Sequence, residues 1–244
     1  MEWRDQDGVR WLEAELPGAW AAFSTRIGGV SEAPYEALNI AILTGDEPER
    51  VGENRRRLAE STGREPAGVV MGRQVHGSLL RRHDEPQEPR VYSGVVKSPD
   101  EVDAQATSNR DLTPLVMVAD CLPVAMVGPG GVAMAHCGWR GLAGGIVAET
   151  ASAVDAEAAA IGPGIGPCCY EVGEEVLSAF DDLDGVARVR MLDLTAVATT
   201  LLERAGVTEV ESSGLCTSCN PELFYSHRRD GERTGRQAGL VWME

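Results

Sequence analysis

The stretch ADCLPVAMVGPGGVAMAHCGWRG, from Ala119 to Gly141, decides the fold. It contains two apolar runs, at residues 123–127 and 132–135, joined by glycine and proline at 128–131. Short apolar runs bounded by turn residues are typical of buried strands, and so short a connection leaves no room for the helix that joins parallel strands. The stretch therefore predicts adjacent antiparallel strands.

The remainder of the chain predicts strands and helices in alternation. Apolar runs predict strands at 20–24, 69–75, 115–119, 158–161, 207–212 and 236–242. Helical patterns with start and stop signals predict helices at 48–61, 141–154, 171–180 and 194–205, the last one capped by Asp193. No change of composition marks a boundary, so we expect one α/β (α+β) domain with a mixed sheet over residues 1–244.

Composition restricts the classes of function. The formal net charge of −16 argues against a nucleic-acid partner, which would require a basic surface. No apolar run approaches the ~18–20 residues of a membrane span, and the first residues lack a signal-peptide pattern. We expect a cytoplasmic protein without a membrane partner. The sequence does not give the oligomeric state, and a monomer is the default expectation.

His76, Cys121 and His136 occupy the same kind of position. Each stands at or near the end of a predicted strand, beside a turn, and side chains at strand ends can converge on one rim of a sheet. Two imidazoles and a thiolate would form a three-ligand zinc site with an open fourth position. The same residues also fit a Cys121 nucleophile activated by a histidine, or ordinary buried side chains. The residues alone leave these readings open.

The other cysteines and His83 favour structural roles. Cys216 and Cys219 form a CxxC pair without the second pair of a zinc ribbon, and we interpret them as ordinary thiols. The vicinal residues 168–169 follow a proline turn, for which packing is the default interpretation. Cys137 should point away from His136 if the segment is extended. His83 lies in a polar, proline-containing stretch at 82–90, which predicts an exposed loop and a surface histidine.

Several basic residues are candidates for binding an anion. Arg26 and Arg228 are flanked by small polar residues, and a guanidinium group fits a phosphate or carboxylate well. Trp139 and Arg140 open a predicted helix between glycines, where free N–H groups could meet an anion. A structural ion pair, or a core role for Trp139, explains each of these residues equally well.

Taken together, the motifs resemble the laccase-domain family, also called YfiH-like, multicopper polyphenol oxidase-like or peptidoglycan editing factor. The matching segments run in order along nearly the whole chain: FSTRIGGVSEAPYEALNIA, MGRQVHG, VDAQATS, LVMVADCLPVAMV, AMAHCGWRGLAGGIV, AIGPGIGPCCYEVG and GLCTSCNPELFYSHRRDGERTGRQAGLVW. The resemblance implies an α/β sandwich with flanking helices whose sheets carry the site at one rim. It also implies that His76, Cys121 and His136 bind one zinc ion.

The resemblance implies several activities. These are phosphorolysis of adenosine, inosine, guanosine and methylthioadenosine, deamination of adenosine, copper-dependent polyphenol oxidation, and correction of peptidoglycan precursors. Four histidines are too few for the blue copper site and trinuclear cluster of a laccase, and zinc, which has no redox chemistry, suits phosphorolysis. We therefore expect a zinc-dependent purine nucleoside phosphorylase, with adenosine deamination as a further activity and copper as the alternative metal.

The expected partners are a purine nucleoside and phosphate. We assign substrate binding to Arg26, Asn39 and Arg228, and offer Asp120 as the candidate for proton transfer. The alternatives are a hydrolase of peptidoglycan precursors that uses Cys121, a copper oxidase, and a non-catalytic partner of cell-wall or division proteins. Two positions depart from the family pattern. Cys137 stands where alanine is expected. Residues 40–46 read IAILTGD, where a histidine or other polar residue is expected before the glycine, and this difference concerns the substrate rim.

Overall fold

The computed structural model describes residues 1–88, 90–98 and 100–244. Fourteen strands are present in these ranges. Their bounds are β1 Glu2–Gln6, β2 Val9–Leu16, β3 Ala19–Ser24, β4 Val69–Val70, β5 Leu80–Arg82, β6 Ala104–Thr107, β7 Thr113–Val118, β8 Leu122–Gly128, β9 Gly131–Cys137, β10 Ala158–Ile161, β11 Ala187–Arg188, β12 Met191–Leu192, β13 Glu209–Ser212 and β14 Gln237–Met243.

The α-helices are few and short. The bounds of those in the described ranges are α1 Pro48–Ser61, α2 Trp139–Ala143, α3 Ile146–Val154, α4 Glu174–Ser178, α5 Leu194–Arg204 and α6 His227–Asp230. None of them is long and apolar enough to cross a membrane.

Two six-stranded mixed sheets form the body of the protein. The first sheet has the order β1-β2-β3-β14-β7-β4, and the second has the order β13-β10-β8-β9-β6-β5. Strands β8 and β9 form the antiparallel hairpin that the opening stretch predicts, with Gly128 opposite Gly131. Strand β7 belongs to the other sheet, so residues 119–121 carry the chain from one sheet to the other.

Alternation along the strands divides the core into layers. In β8, Ala125 and Val127 belong to the cluster between the two sheets, whereas Val124 and Met126 pack in the cluster that includes α3 and α5. A third apolar cluster lies on the outer face of the first sheet, against α1. The expected α/β sandwich with flanking helices is confirmed, and the sandwich forms a single domain.

Several element predictions are confirmed, and others are wrong in extent. Helices α1 and α5 match their predictions, and Asp193 caps α5 by accepting a hydrogen bond from the Ala196 N–H group. The helix predicted at 141–154 is broken, because Gly145 has a φ of 88° between α2 and α3. The strand predicted at 69–75 ends at Val70. The sequence patterns do not predict strands β1, β2, β5, β6, β11 and β12.

The prediction for His83 is wrong. The residue is 4% exposed, and its Nε2 atom lies 2.6 Å from Gln105 Oε1 on the neighbouring strand β6. The backbone N–H of His83 also donates to Ala106 O, so the residue extends the pairing of β5 with β6. Pro89, within the loop predicted at 82–90, lies outside the described residues.

Candidate active site

Three side chains from distant parts of the sequence meet at the rim of the sandwich. The ligand atoms of His76, Cys121 and His136 all lie within 4.8 Å of one another. The two imidazole rings are 4.9 Å apart and nearly perpendicular. His136 is buried, Cys121 is half-buried and His76 is exposed, so the cluster opens to solvent on one side.

The backbone around each of these residues explains the convergence. Cys121 follows Asp120, whose φ of 93° turns the chain sharply between β7 and β8. His136 shares the side of β9 that carries Met134, which faces the space between the sheets. Cys137 packs in the helix-facing cluster, as the alternation predicts. His76 has a φ of 60° in the loop after β4.

Asp103 is the polar centre of the site. Its carboxylate accepts backbone hydrogen bonds from Val75, His76 and Gly77 at 2.8–3.1 Å, which fixes the turn that carries His76. The same carboxylate lies 2.8 Å from Nδ1 of His136. Nδ1 therefore donates to Asp103, and Nε2 is the ring nitrogen left to face Cys121. With a proton, Nε2 donates to the thiolate; without one, it can bind a metal.

The cluster favours a thiolate at Cys121. Burial opposes ionisation of the thiol, but the charge of His136 and hydrogen bonds from His136 and His76 lower the pKa of Cys121 to about 6. Burial also opposes protonation of His136, yet the thiolate and the Asp103 carboxylate raise its pKa. A thiolate is the form of cysteine that binds a metal or acts as a nucleophile.

The donor set fits one soft or borderline divalent metal ion. Two imidazoles and a thiolate are the ligand types that zinc accepts, and a carboxylate behind a ligating histidine is the usual outer partner. Glycine at 138 leaves the necessary space, because a Cβ atom there would lie 2.9 Å from Cys121 Sγ and 3.4 Å from His76 Cδ2. The residues present therefore fit a three-ligand metal site, and this fit is equally open to zinc and copper.

The cluster forms part of the wall of a cavity of about 450 Å³. This volume lies in the range of pockets for small organic ligands. The wall is mainly apolar and also contains Trp139 and Tyr170, as well as the stretch 41–44 that departs from the family pattern. The basic residues of the wall are Arg55, Arg73, Lys97, Arg140, Arg228 and Arg236.

The three residues assigned to substrate binding have different positions. Among the described residues that line the cavity, Arg228 is present, whereas Arg26 and Asn39 are not. Arg26 donates to the carbonyl oxygens of Glu36 and Pro221. Asn39 is fully buried, and its amide bonds to residues 41–46 and to the N–H of Arg236. Arg26 and Asn39 thus support the loops behind the cavity.

Asp120 lines the cavity, but both of its carboxylate oxygens already accept hydrogen bonds. The Thr217 hydroxyl donates to Oδ1, and the backbone N–H of Arg228 donates to Oδ2, each at 2.6 Å. These contacts tie the C-terminal segment to the corner between the sheets. They favour a positioning role for Asp120 over proton transfer.

Sequence reasoning missed several residues of the site. Asp103 lies in the VDAQATS motif, where an acidic residue directly before a strand of small residues was a detectable signal. Arg236 is half-buried, and burial lowers its pKa although Cys121 and Asp120 partly counter that effect. Tyr170 lies 5.0 Å from the Arg228 guanidinium. Helix α2, which has five residues, is too short for the anion site considered at Trp139 and Arg140.

A two-sheet α/β sandwich with a His-Cys-His cluster at its rim defines the class of the protein. The chain belongs to the family described as multi-copper polyphenol oxidoreductase laccase, whose model matches residues 20–244. The resemblance inferred from the motifs is therefore confirmed.

Individual relatives match almost the whole chain. A protein of Escherichia coli (strain K12) named purine nucleoside phosphorylase YfiH is 37% identical over 241 residues, which cover 93% of this chain and 94% of the relative. The crystal structure of YlmD from Geobacillus stearothermophilus is 32% identical, with a TM-score of 0.87 over 99% of this chain and 98% of that one. A Bacillus licheniformis hypothetical protein YfiH is 29% identical, with a TM-score of 0.89 over 99% of both chains.

Proposed function

We propose that the protein is a zinc-dependent purine nucleoside phosphorylase. One observation carries the proposal: a cavity of nucleoside size holds the His76–Cys121–His136 cluster together with several arginines, in a chain 37% identical to a protein named purine nucleoside phosphorylase. The substrate class is a purine nucleoside, such as adenosine or inosine, with inorganic phosphate as the second substrate.

Phosphorolysis requires an anion site beside a hydrophobic base site. We assign phosphate to Arg228 and Arg236, which lie in the same cavity as Asp120 and Cys121. The Arg228 side chain is held in position because it donates to Glu171 O at 2.8 Å and lies over the Tyr170 ring. Tyr170 and Trp139 supply aromatic surface for a purine.

The reaction is a substitution at the anomeric carbon. An oxygen of phosphate bonds to C1′ of the ribose while the bond between C1′ and the base nitrogen breaks. The electron pair of that bond leaves with the base, which takes up a proton, and the products are the free base and ribose 1-phosphate. Arginines beside the cavity neutralise the phosphate and hold it against the ribose. Zinc bound to the three ligands would supply a Lewis acid that polarises a substrate group.

The first experiment separates the activities by their products. We expect zinc-loaded protein to convert adenosine to adenine and ribose 1-phosphate only when phosphate is present, as followed by mass spectrometry. Inosine formed with or without phosphate would show deamination of adenosine. If bound zinc is demonstrated but adenosine, inosine, guanosine and methylthioadenosine all fail to release their free base in the presence of phosphate, the proposal is wrong.

The anion site has its own variant and control. Arg228→Gln removes the charge and should raise KM for phosphate more than KM for the nucleoside, by about tenfold for a loss of about 1.4 kcal/mol of binding free energy. Arg233→Gln, at an exposed residue outside the cavity lining, is the matched control. Equal effects of both substitutions on KM for phosphate would remove Arg228 from the anion site.

Two other functions make different predictions for the same cluster. The lowered pKa of Cys121 favours a nucleophilic hydrolase acting on peptidoglycan precursors, which would show a covalent adduct at Cys121 in metal-free protein. A copper oxidase would lose its activity when copper is replaced by zinc. Within the described residues, His83 is buried against Gln105, which leaves few histidines for the additional copper ligands of a laccase.

A further inference from the structure

A second group of metal-ligating side chains lies outside the His-Cys-His cluster. The sulfur atoms of Cys168, Cys169, Cys216 and Cys219 all lie within 4.8 Å of one another. Cys219 Sγ is 3.4 Å from Cys168 Sγ and 3.4 Å from Cys169 Sγ. The four residues come from two loops that are about fifty positions apart in the sequence.

In the sequence, each pair of cysteines stands alone. The CxxC pair at Cys216 and Cys219 has no second pair near it, and the vicinal pair at 168–169 follows a proline turn. The fold brings the two pairs together. Strands β10 and β13 are parallel neighbours, so the loops that follow them, which carry the cysteines, leave the same end of the sheet. Each pair therefore becomes the second half of a four-cysteine set.

We propose that these four cysteines bind a second zinc ion, in a tetrathiolate site that is structural. Zinc bonds to cysteine sulfur at about 2.3 Å, so tetrahedral geometry places the sulfurs about 3.8 Å apart. Two of the sulfur pairs are 3.4 Å apart and no pair is more than 4.8 Å apart, a range that contains this spacing. They exceed the ~2.05 Å of a disulfide bond, and all four cysteines are free.

The surroundings suit a closed thiolate site. The backbone N–H of Gly166 donates to Cys216 Sγ at 3.2 Å, a contact that favours negative charge on the sulfur. A Cβ atom at Gly166 would lie 3.2 Å from Cys216 Cβ and 3.4 Å from Cys168 Sγ, so a side chain there would press on both cysteine pairs. Four protein ligands leave no open position for substrate, in contrast to the three-ligand cluster.

The four-cysteine site lies between two loops that contribute to the cavity or hold its residues. The first loop continues into Tyr170, which lines the cavity, and the second contains Thr217, whose hydroxyl holds Asp120. Arg229 also donates to Thr217 O at 2.8 Å. Zinc at the four cysteines would lock the two loops together and thereby hold the wall of the cavity in place.

The test counts metal in the purified full chain. We expect about two zinc ions in the wild type, and about one both in a His76→Ala/His136→Ala variant and in a Cys216→Ser/Cys219→Ser variant. Cys137→Ala, at a buried cysteine that lies outside both clusters, is the control and should retain both ions. Equal zinc in the wild type and the Cys216→Ser/Cys219→Ser variant, or loss of all zinc from the His76→Ala/His136→Ala variant, would overturn the proposal.

If the Cys216→Ser/Cys219→Ser variant does not fold, a spectroscopic measurement on a protein with all four cysteines still tests the proposal. X-ray absorption at the zinc edge of the His76→Ala/His136→Ala variant should show four sulfur neighbours at about 2.3 Å and no nitrogen. Nitrogen in this shell, absence of zinc, or a disulfide between these cysteines under reducing conditions would contradict it. Neither readout depends on nucleoside turnover. A protein without phosphorylase activity could therefore still show the tetrathiolate zinc site, and the two proposals can fail independently.

Discussion

Asp103 illustrates how one buried residue organises a site whose members come from distant parts of the sequence. Its carboxylate receives three backbone N–H groups from the turn of His76 and also contacts His136 on β9. Burial raises its pKa, but the hydrogen bond and charge of His136 more than compensate, so the pKa of Asp103 is lowered. The ionised carboxylate thus fixes both the turn and the tautomer of a proposed metal ligand.

Asp103→Asn tests this role. We expect zinc at the three-ligand cluster to bind about 10–100-fold more weakly, because the amide keeps the shape of the side chain but loses the charge that orients His136. Competition with a chelator measures the affinity, and Asp100→Asn, which removes a carboxylate that pairs with Arg81 away from the cluster, is the control. Unchanged zinc affinity in a folded Asp103→Asn variant would refute the role.

His83 provides a prediction about pH. Burial lowers its pKa below the ordinary value of 6.5, so the folded protein binds this proton more weakly than the unfolded chain does. The contribution of neutral His83 to stability is complete above pH 6.5 and is lost as pH falls through 6.5 towards the lowered folded pKa. In metal-free buffer, wild type should lose more stability between pH 7.5 and 5.5 than His83→Gln does. Urea unfolding at both pH values measures the free energy of unfolding. Equal losses in the wild type and His83→Gln would show that His83 does not cause the loss.

At the scale of elements, the start of helix α2 is fitted closely to the site. Gly138, the N-cap residue of α2, lies against Cys121 and His76, and a Cβ atom at Gly141 would lie 2.8 Å from Gly77 O. The start of α2 and the turn that carries His76 are therefore in direct backbone contact. This contact explains the glycines that flank Trp139 and Arg140 better than the anion site considered from the sequence.

Gly138→Ala is expected to weaken metal binding at the three-ligand cluster while leaving the fold intact. The added methyl group must displace Cys121 Sγ or His76, and a ligand shifted by tenths of an ångström fits its metal poorly. Gly173→Ala is a matched control, because Gly173 is also an N-cap residue, with φ −83° against −84°, and has open space around it. Zinc release by a chelator should be faster only for Gly138→Ala. Identical release from both variants would contradict the close fit.

At the scale of the whole molecule, the local patterns predicted strands and helices well but not their arrangement. The β8–β9 hairpin and the faces of His136 and Cys137 followed from turn residues and alternation. The separation of β7 from β8 could not be predicted, because it depends on a three-residue corner whose geometry is set by distant partners of Asp120. Strand β1 is exposed throughout and has no apolar pattern to detect.

The site was predictable to a similar degree. The three cluster residues could be selected because histidine is scarce in this sequence and because all three stand at or near the ends of predicted strands. Arg236 and Tyr170 could not be selected, since an arginine or tyrosine near glycine has no local signal and reaches the cavity only through the fold. The four-cysteine group depends in the same way on the pairing of β10 with β13.

The two sheets approach each other closely enough to give a prediction for the whole fold. Gly239 lies in β14 between β3 and β7, and a Cβ atom there would lie 2.6 Å from Pro123 Cβ and 3.1 Å from Met134 Sδ on the facing sheet. Gly239→Ala would force the sheets apart in a core that is close-packed, at a cost of about 1–3 kcal/mol.

Thermal unfolding should therefore shift down by about 2–4 °C for each kcal/mol in a chain of this size. Gly173→Ala, where the added methyl group meets nothing within 4 Å, should leave the midpoint almost unchanged. The effect of Gly239→Ala should also be partly reversed by Met134→Leu, because the thioether of Met134 is one of the two contacts that the new methyl group compresses. If Gly239→Ala unfolds at the wild-type temperature, the sheets have more room between them than the packing of β14 on β8 and β9 indicates.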